Sequence, residues 1–406
     1  MTKARLISTV LCMVALTSAA FAQRQTIRSS SMPTQKTAAP AAITAIPSIA
    51  GLYNWQVVPT IADSYESISQ PQPVCRKDGS LFKISIFTSY GNDVRVGEIT
   101  TPADTYQLLS GGGTSLPGKR LEFAATSVIK SGDTDSTIYI FGGTDLSNEM
   151  NDVYSYNSSG FSNGSIATIP NNPTNTIVGN RAGALAVPAN GKIYLFGGRR
   201  GSTVLSQVLE FDPTGSNPFT ILNATMPQAL YGARGMAKAA PNGPYIYLVG
   251  GNTVSGGGHS YKVYRFNVST KTWKTIVDAQ NPPNDLELPN TIGIPMITWD
   301  PSGNIRIIAS VPGSSTGTWT NMQAWVLTDT YTGANDGYAK LTAAPYNDGT
   351  RARNDAGAVK CGDSTYLIGG TYGYGGTSAS LSRSKLVDKL AIPGPMIKFN
   401  AVKNVQ

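Results

Sequence analysis

One histidine, three cysteines and a charged fraction of 14% are the scarcities of this 406-residue chain, and each removes a class of function. His259 alone cannot supply the imidazoles of a zinc or copper centre, so no metal and no cofactor are expected. Beyond the first segment only Cys75 and Cys361 remain, too few for a small disulfide scaffold. No stretch approaches the roughly 20 apolar residues of a membrane-crossing helix. Lysine and arginine are scattered through Gly- and Thr-rich sequence and form no basic stripe, so nucleic acid is not an expected partner. No apolar pattern recurs every 3.6 residues, which argues against helices. A large hydrophobic core must therefore hold the chain together.

What is present begins with an export signal. Lys3 and Arg5 precede an apolar run from Leu6 to Ala20, and Ala20-Phe21-Ala22 is a small-residue cleavage site, so the mature, secreted or periplasmic protein is expected to begin at Gln23. Cys12 follows Leu11, too large a residue for a lipid-attachment site. Removal of the signal leaves 30 basic against 24 acidic residues, a mild excess that suits an anionic ligand, a polyanionic surface or simple solubility. Residues 23–50 are Ser, Thr, Ala, Pro and Gln and read as a flexible leader.

From residue 51 to 395 the chain repeats itself, ahead of a short tail at 396–406. Four copies of an apolar strand end in two glycines: Ile138 to Gly143, Ile193 to Gly198, Ile246 to Gly251 and Thr365 to Gly370. Their first glycines are 55, 53 and 119 residues apart. The last interval is two periods long, and Ile305 to Ser310 fills the missing step. One period before Gly142 stands Lys83 to Phe87, ending at Thr88. Each copy carries four strand signals with turns between, the third full one at Gly235 to Ala240, Tyr245 to Val249, Lys262 to Phe266 and Thr272 to Val277. Four strands repeated six times is the pattern of an all-β, six-bladed β-propeller. Asn54 to Pro59 matches a fourth strand yet precedes any first strand, so it is expected to complete the last blade; Pro395 to Val402 competes for that role. Cys75 and Cys361 fall in repeats that become neighbours on closure, which leaves a bridge between them open.

The double glycine, the aromatic pairs Tyr154/Tyr156 and Tyr264/Phe266 in the next strand, and Trp273 in the fourth resemble the kelch repeat over roughly 51–395. Ala309-Ser310 and Thr88-Ser89 depart from it. The resemblance implies a binding or interaction module for a protein partner or an acidic carbohydrate. The enzymatic alternative is a sugar-acting protein similar to the exported sialic-acid mutarotases. A copper radical oxidase would need two histidines, and a sialidase would need Asp-box repeats of which Ser314 to Trp319 is a single defective match. Among acids, Glu122 beside Arg120 is the best placed. Sequons begin at Asn157, Asn163, Asn223 and Asn267, where turn geometry explains Asn157 and Asn267 equally well.

Candidate ligand-binding residues follow from spacing. Arg181, Arg234 and Arg353 each lie 16 residues before the first glycine of their repeat; Arg120 lies 22 before, behind a longer turn at Lys130 to Ser136. Gly293 takes that place in the degenerate repeat. The expectation is a ring of arginines at one channel mouth, facing Thr144, Arg199, Asn252 and Tyr372 just after the glycine pairs and offering planar donors to a carboxylate, with Tyr372 or Tyr374 stacking on a sugar. Scaffolding of backbone carbonyls is the competing role.

Overall fold

A computed structural model describes residues 54–58, 72–161 and 179–276 except for short stretches, then 288, 295–299, 305–312, 319–329, 339–344, 356–370 except 363, and 387–391. The export signal, the leader and the 396–406 tail lie outside the described residues, as does Pro395 to Val402. Among the described residues every regular element is a β-strand, and all pair antiparallel.

Each repeat forms one sheet whose strands pair in chain order. In the third repeat these are Leu185–Ala189, Lys192–Phe196, Val208–Phe211 and Phe219–Ile221; in the fourth they are Arg234–Lys238, Tyr245–Val249, Val263–Asn267 and Thr272–Thr275. The first strands, Gln72–Asp78, Ala124–Ile129, Leu185–Ala189, Arg234–Lys238, Met296–Trp299 and Gly357–Cys361, neighbour one another in that order, and the last returns to the first. The result is a β-propeller about a central channel. The last sheet is completed by Asn54–Val58, which pairs with Val387–Ala391 from Asn54 opposite Ala391 to Val58 opposite Val387. Cys75 and Cys361 are joined by a disulfide with their Cα atoms 5.2 Å apart, so the same seam is also closed covalently between the innermost strands of the first and last repeats.

The expectation of six identical four-stranded blades needs correction. Five sheets have four strands, and the sheet of the first repeat has five. The second strand of that repeat also lacks the glycine pair. With Thr88-Ser89 in its place the second strand runs on as Leu81–Tyr90 and its partner lengthens to Asp93–Thr101. Thr105–Leu108 covers only part of that edge, and Ser115–Leu116 pairs with Val94 and Arg95 beyond it. The fifth repeat, with Ala309-Ser310, likewise carries its second strand through to Pro312. In the third repeat the left-handed φ angles of the pair, 59° and 94° at Gly197 and Gly198, end the strand, whereas in the second the strand Ser136–Thr144 continues through Gly142 and Gly143 with a shift of register after Phe141.

Blades pack through aromatics. The residue before the glycine pair, or before Thr88-Ser89 in its place, meets the third-strand aromatic of the next blade: Phe87 with Tyr156 at 6.1 Å, Phe141 with Phe211 at 5.2 Å, Phe196 with Phe266 at 5.6 Å. Trp273 closes over the last pair, 4.9 Å from Phe266. Edge and tilted geometries of this kind add to area burial.

On the outer side of that layer a polar link joins the third blade to the fourth. Lys192 Nζ, Lys271 Nζ and Tyr194 OH donate to the Glu210 carboxylate at 2.5, 2.6 and 2.9 Å. Lys271 reaches it from a left-handed turn residue, φ 58°, and Asp104, φ 53°, reaches Tyr366 OH of the last blade in the same way at 2.7 Å. Burial alone would raise the Glu210 carboxyl, but the three donors override it and hold it at about 2. A folded pKa below the unfolded one stabilises above the unfolded value near 4.5 and is lost as pH falls through the folded value. Glu210→Gln is therefore expected to lower stability at pH 7 by about 1–2 kcal/mol after allowance for solvent screening. It should also flatten the loss of melting temperature between pH 5 and pH 2, and a parallel acid limb in the variant would refute the assignment.

Candidate binding site at the channel mouth

The glycine pairs form joints between blades, and the arginines brace them. Gly143 N–H donates to Arg181 O of the next blade, and Gly198 N–H to Leu230 O, both at 2.8 Å. A Cβ on Gly142 would lie 2.3 Å from Arg181 O, and one on Gly197 would lie 2.1 Å from Leu230 O. Within its own blade Arg120 donates from Nη1 to Gly142 O at 2.6 Å and pairs bidentately with Asp152 at 2.6 Å. Arg181 donates to Gly197 O at 2.9 Å and to Gln207 Oε1. Their stems pass where a Cβ of the second glycine would stand, 2.8 Å from it in both blades. Arg120 and Arg181 are 1% and 6% exposed. Burial, with a smaller contribution from the Arg200 charge, holds the Arg181 guanidinium down at about 10, still protonated near neutrality. These two side chains turn inward to carbonyls, the scaffolding role; their donors do not form an open ring.

Arg234 does not share their place. Arg181 precedes the first residue of its innermost strand by four positions, as Arg120 does, whereas Arg234 is itself the first residue of such a strand, opposite Val249. The turn joining the first two strands is two residues long in the third blade and six in the fourth, Ala189 pairing with Lys192 and Lys238 with Tyr245. Counting 16 back from the glycine therefore stops four residues short, and Leu230, 1% exposed, fills the arginine position there. Three further correspondences follow. Leu121, Ala182 and Tyr231 each bridge to the residue after the glycine pair, Thr144, Arg199 and Asn252. Glu122 then aligns with Gly183 and Gly232, all three with positive φ. Arg353 and Tyr372 lie outside the described residues.

The expected meeting of arginines with the residues after the glycines is realised differently. Arg199 Nη1 binds Glu149 Oε1 at 2.9 Å and Nη2 binds Glu122 Oε2 at 3.0 Å, both on the preceding blade, and its guanidinium lies 5.9 Å from the Tyr231 ring of the following one. Beyond it rise two short ribbons, Arg199–Arg200 with Thr203–Val204 and Asn252–Val254 with Gly257–His259, and they touch each other. Val254 is 55% exposed, and His259 lies 6.3 Å from the Tyr261 ring. Glu149 and the ribbons were not singled out by sequence reasoning, although a glycine pair followed within six residues by a second glycine, Gly201 or Gly256 to Gly258, marks both hairpins. Among the described residues no group of three or more His, Cys, Asp or Glu side chains is placed to hold a metal ion.

Residues 100–289 match a family model described as the KLHDC2/KLHL20/DRC7 Kelch-repeats domain, a span that takes in the glycine-pair joints of the second, third and fourth blades. No curated protein matches the chain. The chain is thus a β-propeller, a ring of antiparallel sheets joined through paired glycines, whose residues 100–289 are similar to a Kelch-repeats domain.

Proposed function

We propose that this propeller is a protein-interaction module whose partner docks on the face carrying the two ribbons. The observation that carries the reading is the raised rim itself. Adjacent blades carry separate two-stranded ribbons, and Val254 in one of them leaves 55% of its surface in solvent, whereas most valines of described burial are buried. The Arg199–Glu122–Glu149 cluster and the Tyr231 ring below it supply the polar and aromatic groups that interface rims favour. A photo-crosslinking amino acid at Val254 is expected to yield a defined adduct in the producing cells. The same probe at Ile221, exposed on the outermost strand of the third blade, should yield none. Equal adducts from both positions, or none from Val254, would count against the rim.

Two finer readings accompany it. The five-stranded sheet is the sixth blade of the ring, a count supported by its first strand lying between those of the last and second repeats. The chain is exported: the segment 1–22 has the form of an export signal, and the Cys75–Cys361 disulfide suits an oxidising compartment. N-terminal sequencing of the mature protein should begin at Gln23, and an intact Met1 would sink the export reading.

A further inference from the structure

The segment that leaves the third blade carries the sequon Asn223-Ala224-Thr225, with no proline in the middle position to block it. It follows Phe219–Ile221, the outermost strand of that blade. Side chains alternate along it. Leu222, Ala224 and Met226 face the core between the third and fourth blades, while Ile221, Asn223 and Thr225 are exposed. Two backbone bonds fix that alternation: Leu222 N–H donates to Val208 O at 3.0 Å, and Met226 N–H to Ser206 O at 2.7 Å. The amide and the hydroxyl of the sequon therefore stand on one solvent face, held there by the packed residues between and beside them. Turn geometry accounts for Asn267, whose Oδ1 accepts from the N–H groups of Ser269 and Thr270 at 2.8 and 3.0 Å. Asn223 stands instead between an edge strand and the core residue Met226. The hydroxyl residues of the Asn157 and Asn163 sequons lie outside the described residues.

We propose that Asn223 carries an N-linked glycan, taken from a lipid-diphosphate-linked oligosaccharide. The inference rests on the export reading, because sequons are modified on chains that enter a secretory pathway. In the transfer, Asn223 Nδ2 attacks the anomeric carbon of the donor sugar. A C–N bond forms, the C–O bond to the diphosphate breaks with its electron pair, and one amide proton passes to a base of the transferase. Attachment to the nascent chain precedes folding, so the part of the fold is to accept the product. An acceptor on the core side of this segment would bury a bulky polar group, at a cost no native contact offsets. On the side that Asn223 occupies, the sugar extends into solvent.

Peptide mapping by mass spectrometry of the full chain isolated from the producing cells tests it. Peptide-N-glycosidase in heavy-oxygen water turns a glycosylated asparagine into a labelled aspartate, and the label is expected at Asn223. This mapping uses the parent chain and depends on no variant folding. Asn223→Gln and Thr225→Ala are each expected to remove the glycan, seen as a faster band on a denaturing gel, whereas Thr225→Ser keeps the hydroxyl and should keep the glycan. Because Thr225→Ala leaves Asn223 in place, it separates recognition of the sequon from mere loss of the amide. An unlabelled Asn223 would overturn the proposal. With Gln23 at the mature N-terminus the site alone falls and export stands; with Met1 intact both fall. An unshifted band in Thr225→Ala would overturn it as well.

Discussion

A Cys361→Ser variant is expected to lose about 5 kcal/mol of stability, read as a fall of roughly 5–8 °C in melting temperature. The bond joins residues 286 apart in sequence and closes the ring between its innermost strands. Removing it frees nearly the whole chain in the unfolded state, where the loss of closure entropy is largest. Beside it lie Ile84, Ile86, Ile99, Tyr366 and Ile368, a cluster shared by the first and last blades, which the serine leaves intact. The loss should therefore appear in the unfolding equilibrium, with the folded spectrum unchanged. Cys75→Ser and the double variant should match the single one, because all three remove the same bond. Reduction of the parent without any change in its melt would refute the role assigned to the seam.

The second large effect is Gly197→Ala. Its φ of 59° costs a residue with a Cβ about 1–2 kcal/mol anywhere, and here the Cβ would also stand 2.1 Å from Leu230 O in the next blade. Gly201, φ 55°, has nothing within 4 Å of the same added atom. Gly201→Ala is thus the control for backbone strain alone. The expectation is a loss of about 1–2 kcal/mol at Gly201 and at least about 3–4 kcal/mol at Gly197, measured by denaturant titration. Equal losses would mean that the glycine pair serves the turn and not the joint between blades.

The contrast between those glycines explains what could be read from sequence. Second strands are apolar runs, four of them followed by glycine pairs, and Tyr245–Val249 is found where its residues place it. Asn54–Val58 was legible because a fourth-strand pattern stood alone, with no first strand before it. The arginine site was not legible. Arg181 and Arg234 share a 16-residue offset, but an offset counts turn residues as well as strand residues, and the turns differ by four. Aligning on Glu122, Gly183 and Gly232, where the backbone turns left-handed, would have paired Arg181 with Leu230. The partner residue agrees: Asp152 and Gln207, which accept from arginine, are replaced by Lys262 opposite Leu230. The disulfide could be placed only in neighbouring repeats, since the 5.2 Å between Cα atoms depends on strand register across the seam.

The strand that completes the last sheet is made first. Asn54 leaves the ribosome before its partner Ala391 has been translated, and at about 5–20 residues per second the wait is roughly 20–70 s. Through that interval the two ends cannot meet, and pairings between distant segments are the slow step of folding in any case. The ring therefore remains an open chain of sheets until its last strand is available. A nascent chain in that state can still be threaded through a narrow pore, and a finished propeller cannot.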